Sequence, residues 1–278
     1  MAMVFSLIES ADQYLYHYTR PSTLLEWILP TKQLRMASIT STNDPRESKD
    51  WRFGFHTNST FGATQGPQFA ALEREATLIA KSCCKVICFT RDAPEATGFA
   101  LNRVFDRGYC KPRMWAQYAE NHRGACLVFD APRLRSALMD SVIDHQDLFE
   151  GDVKYHNQSV ARPLAGNPFI LDFDGIQSRG MNSIVQHHIR HYWKPLFFEK
   201  LLDWRDEYEY RWILWDTEHV EHLFAYRASL VGVLLGPDFP KDGIPAIRRF
   251  RDEYGFETRA VNWNNGFPEI LPMFWDAP

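Results

Sequence analysis

Apolar residues along the chain fall into short alternating runs, the mark of strands, and into three-and-four spacings, the mark of helices. Residues 14–19 alternate, with Tyr14, Tyr16 and Tyr18 on one side and Leu15, His17 and Thr19 on the other. This predicts a strand with one packed face and turns His17 away from the tyrosines. Pro21 then opens a helix in which Thr23 and Glu26 are spaced as a capping box, Leu24, Leu25, Ile28 and Leu29 recur at helical intervals, and Pro30 is the expected stop. Residues 34–38 read as a second strand. Ser41-Thr42-Asn43-Asp44-Pro45 reads as a polar turn in which Asp44, preceding proline, is pushed out of the helical region.

Further along, Leu72, Ala76 and Ile79 share a helical face within 66–82, and 86–90 is a buried strand. Residues 114–120 make a short helix that presents Trp115 and Ala119 to the core. An Arg123-Gly124 turn leads from it to an apolar strand at 125–129. An edge strand is expected at 150–155. The Pro-, Gly- and Asn-rich stretch 161–174 marks a loop or lid covering about 157–176. Helical patterning runs over 176–202 with a break at Pro195, and strands at 207–215, 230–235 and 257–261 close the chain around a charged helix at 244–254. Strands and helices in mixed order, without a βαβ rhythm, predict an α+β fold: a mostly antiparallel, sandwich-like core flanked by helices. No linker divides the 278 residues, so one domain over 1–278, with its core at about 14–263, is expected.

Composition narrows the partners. A net charge of −4 supplies no global basic field for nucleic acid or an anionic membrane, so a nucleic-acid partner needs a local patch. The five cysteines are odd in number and lack a CxxC pair, which points to reduced thiols. The longest apolar run, 230–235, is far short of the ~20 residues of a membrane span, and residues 1–10 lack the basic start of an export signal. A cytoplasmic protein is the expectation.

The richest segment chemically is Trp204-Arg205-Asp206-Glu207-Tyr208-Glu209-Tyr210-Arg211-Trp212. In extended conformation it places Glu207, Glu209 and Arg211 on one face and Tyr208, Tyr210 and Trp212 on the other. The carboxylates then either act on a substrate hydroxyl or a developing positive charge, with Arg211 setting the field, or form an ion ladder on a solvated edge strand. His17 suits a hydrogen bond to a ribose or an amide and suits equally a structural bond. His187 and His191 stack on one helical face as a metal pair would, but no third ligand or zincin glutamate accompanies them, and no metal is expected. Tyr118 or Trp115 can stack on a base or a nicotinamide. There is no phosphate-cradling glycine loop, GxGxxG or GxSxG.

The ordered set Tyr16-His17-Tyr18-Thr19, Asn43-Asp44-Pro45 with Glu47, Cys88-Phe89-Thr90, Met114-Trp115 with Tyr118-Ala119, His122, Gly124, Phe129-Asp130, and Trp204 with Glu207, Glu209 and Arg211 resembles a widespread, mostly uncharacterised bacterial domain family. That family is similar in fold and motif to the ADP-ribosyltransferases, which cleave the nicotinamide glycosidic bond of NAD. The resemblance implies a split β-sandwich. It also implies an NAD site in which His17, with Tyr18 and Thr19 beside it, holds the ribose, Thr90 takes the middle-strand position where many relatives carry Ser, and Glu209 is catalytic with Glu207 as its companion. Tyr118 is the candidate stacking ring, and Arg35, Arg91 or Arg211 the pyrophosphate contact. NAD would be substrate, with no metal, and the acceptor a protein or nucleic acid, as in a toxin or phage-defence effector with an antitoxin or regulatory partner. A non-catalytic nucleotide- or protein-binding module on the same fold, and an NAD or nucleotide glycohydrolase, are the alternatives.

Overall fold

The computed structural model describes residues 13–57, 60–64, 67–93, 100–157, 166–218 and 221–273. The N-terminal decapeptide and residues 158–165 of the expected lid lie outside them. In chain order the strands are β1 (Tyr14–Thr19), β2 (Gln33–Ser38), β3 (Gly54–Thr57), β4 (Thr60–Thr64), β5 (Cys84–Thr90), β6 (Ala125–Asp130), β7 (Leu148–Asp152), β8 (Lys154–Tyr155), β9 (Ile170–Asp172), β10 (Glu199–Lys200), β11 (Glu209–Trp215), β12 (His222–Ala225), β13 (Leu230–Leu235), β14 (Glu257–Asn264) and β15 (Phe267–Pro272). The α-helical elements are α1 (Pro21–Thr23), α2 (Leu29–Thr31), α3 (Pro45–Ser48), α4 (Ala70–Cys83), α5 (Pro112–Tyr118), α6 (Ala131–Met139), α7 (Phe173–Arg179), α8 (Met181–Phe197) and α9 (Ile244–Tyr254).

Ten of these strands form one mostly antiparallel sheet flanked by helices, in the order β12-β2-β5-β1-β6-β13-β14-β15, with β11 and then β7 branching from β5. The branch creates a split. β5 pairs with β11 along its whole length, from Cys84 opposite Trp215 to Thr90 opposite Glu209, but meets β1 only where Thr90 faces Tyr16. β1 and β5 therefore diverge just beyond that bridge, and the gap between them holds the site described below. Apolar clusters cover the sheet. One, around Leu15, Phe89, Leu127 and Trp212, packs under α6 and α9; a second, around Trp51, Ala76, Ile189 and Ile213, packs under α4 and α8. A third gathers Tyr14, Tyr16 and Tyr18 with Tyr109 and Trp115.

Several expected elements change for physical reasons. β1 is buried on both faces, because one apolar cluster packs against Leu15 and another against Tyr14, Tyr16 and Tyr18. The capping box does not form: Arg20 is the N-cap and Thr23 is already helical. Pro30 does not end the helix, since Leu24–Ile28 is π-helical, the Leu29 N–H reaches back to the Leu24 carbonyl, and the missing N–H of Pro30 falls where the regular ladder is already interrupted. The helix stops instead at Lys32, in the left-handed region. Part of the expected lid, β9 and α7, is regular structure: β9 adds to a small sheet with β3 and β4, which the sequence reading did not foresee. The long helix breaks at Gly180, and Tyr192 is non-helical three residues before Pro195, whose ring crowds the carbonyl four residues back. The late acidic strand begins at Glu209, because Tyr208 adopts a left-handed conformation after the 3-10 turn Leu202–Glu207.

Candidate functional site

A pocket of about 230 Å³ opens in the β1/β5 split. His17 and Tyr18 of β1, Cys88 to Thr90 of β5, Glu209 of β11, Glu207 from the turn before it, Tyr118 of α5 and Lys200 of β10 all line it, with Arg35 and Asn43 at its edge. Side chains far apart in sequence, from His17 to Glu209, thus meet across one cleft.

His17 is held by its strand partner. A carbonyl only accepts, so the 3.1 Å contact with the Cys88 carbonyl places the ring proton on Nδ1 and leaves the lone pair on Nε2. Burial pushes the imidazole below its ordinary value, so the ring is neutral and Nε2 is left as a hydrogen-bond acceptor. Thr90, only 1% exposed, lines the same cavity, and its hydroxyl has no partner among the described residues. A buried hydroxyl without a bond is a cost that a ligand group removes.

The acidic residues sit in a buried ionic chain. Asp44 caps α3 by accepting from the Arg46 N–H at 2.9 Å, and Pro45 supplies the first helical residue, which aims Glu47 inward. Glu47 pairs with Nη1 of Arg211, whose Nε donates to Glu209 Oε1 at 2.6 Å and whose Nη1 also donates to the Phe197 carbonyl at 2.7 Å. Lys200 Nζ lies 2.6 Å from Glu209 Oε2 and 2.9 Å from Glu207 Oε2. The Tyr118 hydroxyl donates to Glu207 Oε1 at 2.8 Å, and the Glu209 N–H donates to the Tyr155 hydroxyl at 2.9 Å. Burial alone raises a carboxyl, but Arg211 and Lys200 outweigh it at Glu209 and hold that group down at about 2. At Glu207 burial wins and its pKa is raised. Glu47, Glu207 and Glu209 against Lys200 and Arg211 leave one net negative charge.

This overturns the picture of carboxylates displayed on a solvated edge. β11 is an interior strand between β5 and β7, and its Glu209 and Arg211 face inward. Glu207 reaches the same cluster from a turn, not by strand alternation. The proposed residues that line the pocket are His17, Tyr18, Thr90, Arg35, Tyr118, Glu207 and Glu209. Thr19 and Arg211 do not. Thr19 pairs opposite Ala125, away from the split, and Arg211, wholly buried and engaged by two carboxylates, orients Glu209 from behind instead of reaching a pyrophosphate. Arg91 stacks on the Tyr210 ring and pairs with Asp152. Arg35 at the pocket edge, bonded to Glu221, is the arginine of the three that lines the cleft. His187, His188 and His191 lie elsewhere, in a pocket with His56, where His188 bonds the Pro168 carbonyl at 2.7 Å. Among the described residues no group of three His, Cys, Asp or Glu has a metal-holding arrangement.

Sequence reasoning noted Glu47 only as part of the Asn43-Asp44-Pro45 motif, without a specific partner, and passed over Lys200 altogether. The signal for Lys200 was a lysine set inside the apolar run Leu196-Phe197-Phe198 and Leu201-Leu202, where an unpaired charge is costly to bury. For Glu47 it was the Asp-Pro cap, which fixes the third helical position.

The model of a domain family described as "Protein of unknown function (DUF2971)" matches residues 114–212. The matched stretch carries Tyr118, Lys200, Glu207, Glu209 and Arg211, while His17, Glu47 and Thr90 lie before it. No curated protein and no solved structure matches the chain.

Proposed function

We propose that the chain is an NAD-dependent ADP-ribosyltransferase with a split β-sandwich of that superfamily's kind, acting on a macromolecular acceptor in the manner of a toxin or phage-defence effector. One observation carries the reading: a neutral histidine on β1, an unpartnered threonine hydroxyl on β5 and an acidic pair at the start of β11 line one cleft where the sheet splits. The cavity is smaller than the ~300–1,000 Å³ that encloses a drug-sized ligand, so it takes the nicotinamide-ribose half of NAD and leaves the remainder to run out past Arg35. His17 Nε2 accepts from a ribose hydroxyl. Thr90 supplies a second bond, and the Tyr118 ring borders the base.

The chemistry asks for charge stabilisation. As the glycosidic bond breaks, its electron pair leaves with nicotinamide and the ribose becomes oxocarbenium-like. Glu209, ionised at every physiological pH, strengthens its contact with the 2′-hydroxyl as that positive charge grows, and the net negative cluster behind it adds to the effect. Glu207, bonded by Tyr118 and raised by burial, is the group beside it suited to take a proton from the incoming acceptor.

A second reading has its own support, since both Glu209 oxygens are already engaged by cations, as in a binding module that has lost the chemistry. Nicotinamide release from NAD labelled in its ADP-ribose part separates the two. The wild type is expected to release nicotinamide, and Glu209→Gln to lose about 10²-fold or more. No release from the wild type leaves the binding module, and equal release from both removes Glu209 from the chemistry. Label ending in free ADP-ribose instead of on a macromolecule makes the protein a glycohydrolase.

A further inference from the structure

Lys200 stands out among the pocket residues because a buried ammonium is costly and this one is 5% exposed. Its backbone is pinned. β10 pairs in parallel with β8, placing Lys200 opposite Tyr155, and the His156 N–H donates to the Lys200 carbonyl at 3.0 Å. Its Nζ bridges Oε2 of Glu207 and Oε2 of Glu209. Arg211 does not substitute for it, because the guanidinium is spent on the other oxygen of Glu209, on Glu47 and on the Phe197 carbonyl. The remaining groups that face the pair are Tyr118 from α5, Tyr155 and its hydroxyl from β8, the Cys88 thiol from β5, neutral His17 from β1 and the Trp204 ring, whose centroid is 5.2 Å from Nζ. None of these is a cation. Two carboxylates sharing a buried site without an intervening cation share one proton instead.

We infer that Lys200 is a positioning residue of the reaction assigned above: its ammonium keeps Glu207 and Glu209 ionised together and holds the Glu209 oxygen that faces the ribose. The inference rests on that reading for the reaction and on the geometry alone for the ionisation. A merely structural lysine contributes to stability and leaves the protonation of the pair unchanged. A lysine with this role sets the pH at which the pair loses its second charge.

The experiment is the pH dependence of nicotinamide release for wild type, Lys200→Met, Lys200→Arg and the double variant Lys200→Met/Glu207→Gln, with a ¹³C-carboxyl NMR titration of glutamate-labelled protein in parallel. In Lys200→Met the acid limb of the profile is expected to move up by about 1–3 pH units, with activity recovering on the alkaline side. The titration should then report one carboxyl protonated at neutral pH. Lys200→Arg should restore the wild-type limb in part. The double variant, which removes one of the two like charges, should return the remaining carboxyl toward its low value. It also serves if Lys200→Met fails to fold. An unchanged acid limb and unchanged carboxyl titrations in Lys200→Met overturn the inference while wild-type release leaves the enzyme reading intact. Absence of release from the wild type overturns the reading and the catalytic part of the inference, and the NMR titration still decides whether Lys200 holds both charges.

Discussion

Arg211→Met is the perturbation that probes the buried ionic chain most severely. The guanidinium is wholly buried, and the side chains of Glu47 and Glu209 are 2% and 4% exposed, so neither carboxylate recovers water when it is removed. The substitution deletes the bonds to Glu209 and Glu47 and the one to the Phe197 carbonyl, and raises the net negative charge of the cluster from one to two. Breaking a buried pair on one side costs about 3–5 kcal/mol, against a total stability of about 5–15 kcal/mol for an ordinary domain. Urea unfolding followed by tryptophan fluorescence at pH 7 measures this, and the nine tryptophans give the signal. Glu47→Gln/Arg211→Met, which removes one of the stranded charges, should be less unstable than the two single losses summed, with a coupling of about 1–3 kcal/mol. A loss below about 1 kcal/mol for Arg211→Met, the range of exposed ion pairs, would refute the argument that this chain is a sealed network.

His188 is buried and neutral, its pKa lowered from 6.5 to about 4 chiefly by burial. The unfolded chain therefore binds a proton that the folded one refuses, so stability should fall by about 3 kcal/mol as pH drops from 6.5 to 4. His188→Gln should flatten that slope in urea titrations at pH 6.5 and 4.5, and an unchanged slope would place the acid sensitivity elsewhere. Gly124 has a different duty: a Cβ there would sit inside contact distance of the Thr19 carbonyl oxygen and within 2.9 Å of the Ala119 Cα. Gly124→Ala should lower the melting temperature by an amount equivalent to about 1–3 kcal/mol, and a variant as stable as wild type would show that the β1/α5 contact gives way freely.

Much of the fold was legible because patterning is local. The alternation of 14–19, the apolar strand before Asp130 and the helix carrying Trp115 are all written in residues a few positions apart, and each appears within a residue or two of its expected place. Arg123-Gly124 was read as the turn, whereas Glu120, Asn121 and His122 carry the left-handed angles and Gly124 serves a close approach. The small sheet of β3, β4 and β9 was missed because each strand is short and β9, which pairs with β3, is distant from it in sequence. The site divides the same way. His17, Glu207, Glu209 and Tyr118 were visible in the residues themselves and Thr90 through the family resemblance, and the pocket gathers all five. Lys200 and Glu47 left only local hints, a lysine in an apolar run and an Asp-Pro cap; that they meet Glu209 and Arg211 depends on which elements lie side by side, and no spacing within one segment reports that. The same reason explains the error over Glu209 and Arg211: alternation assigns a shared face, but only sheet order says whether that face meets water.

The most direct test of the account is a crystal structure of Glu209→Gln with NAD bound. The nicotinamide ribose is expected in the β1/β5 split, with a hydroxyl on His17 Nε2, the 2′-hydroxyl at the side chain of residue 209, and the adenosine half leading out past Arg35. A dinucleotide bound on any other surface, or an empty split at saturating NAD, would contradict it.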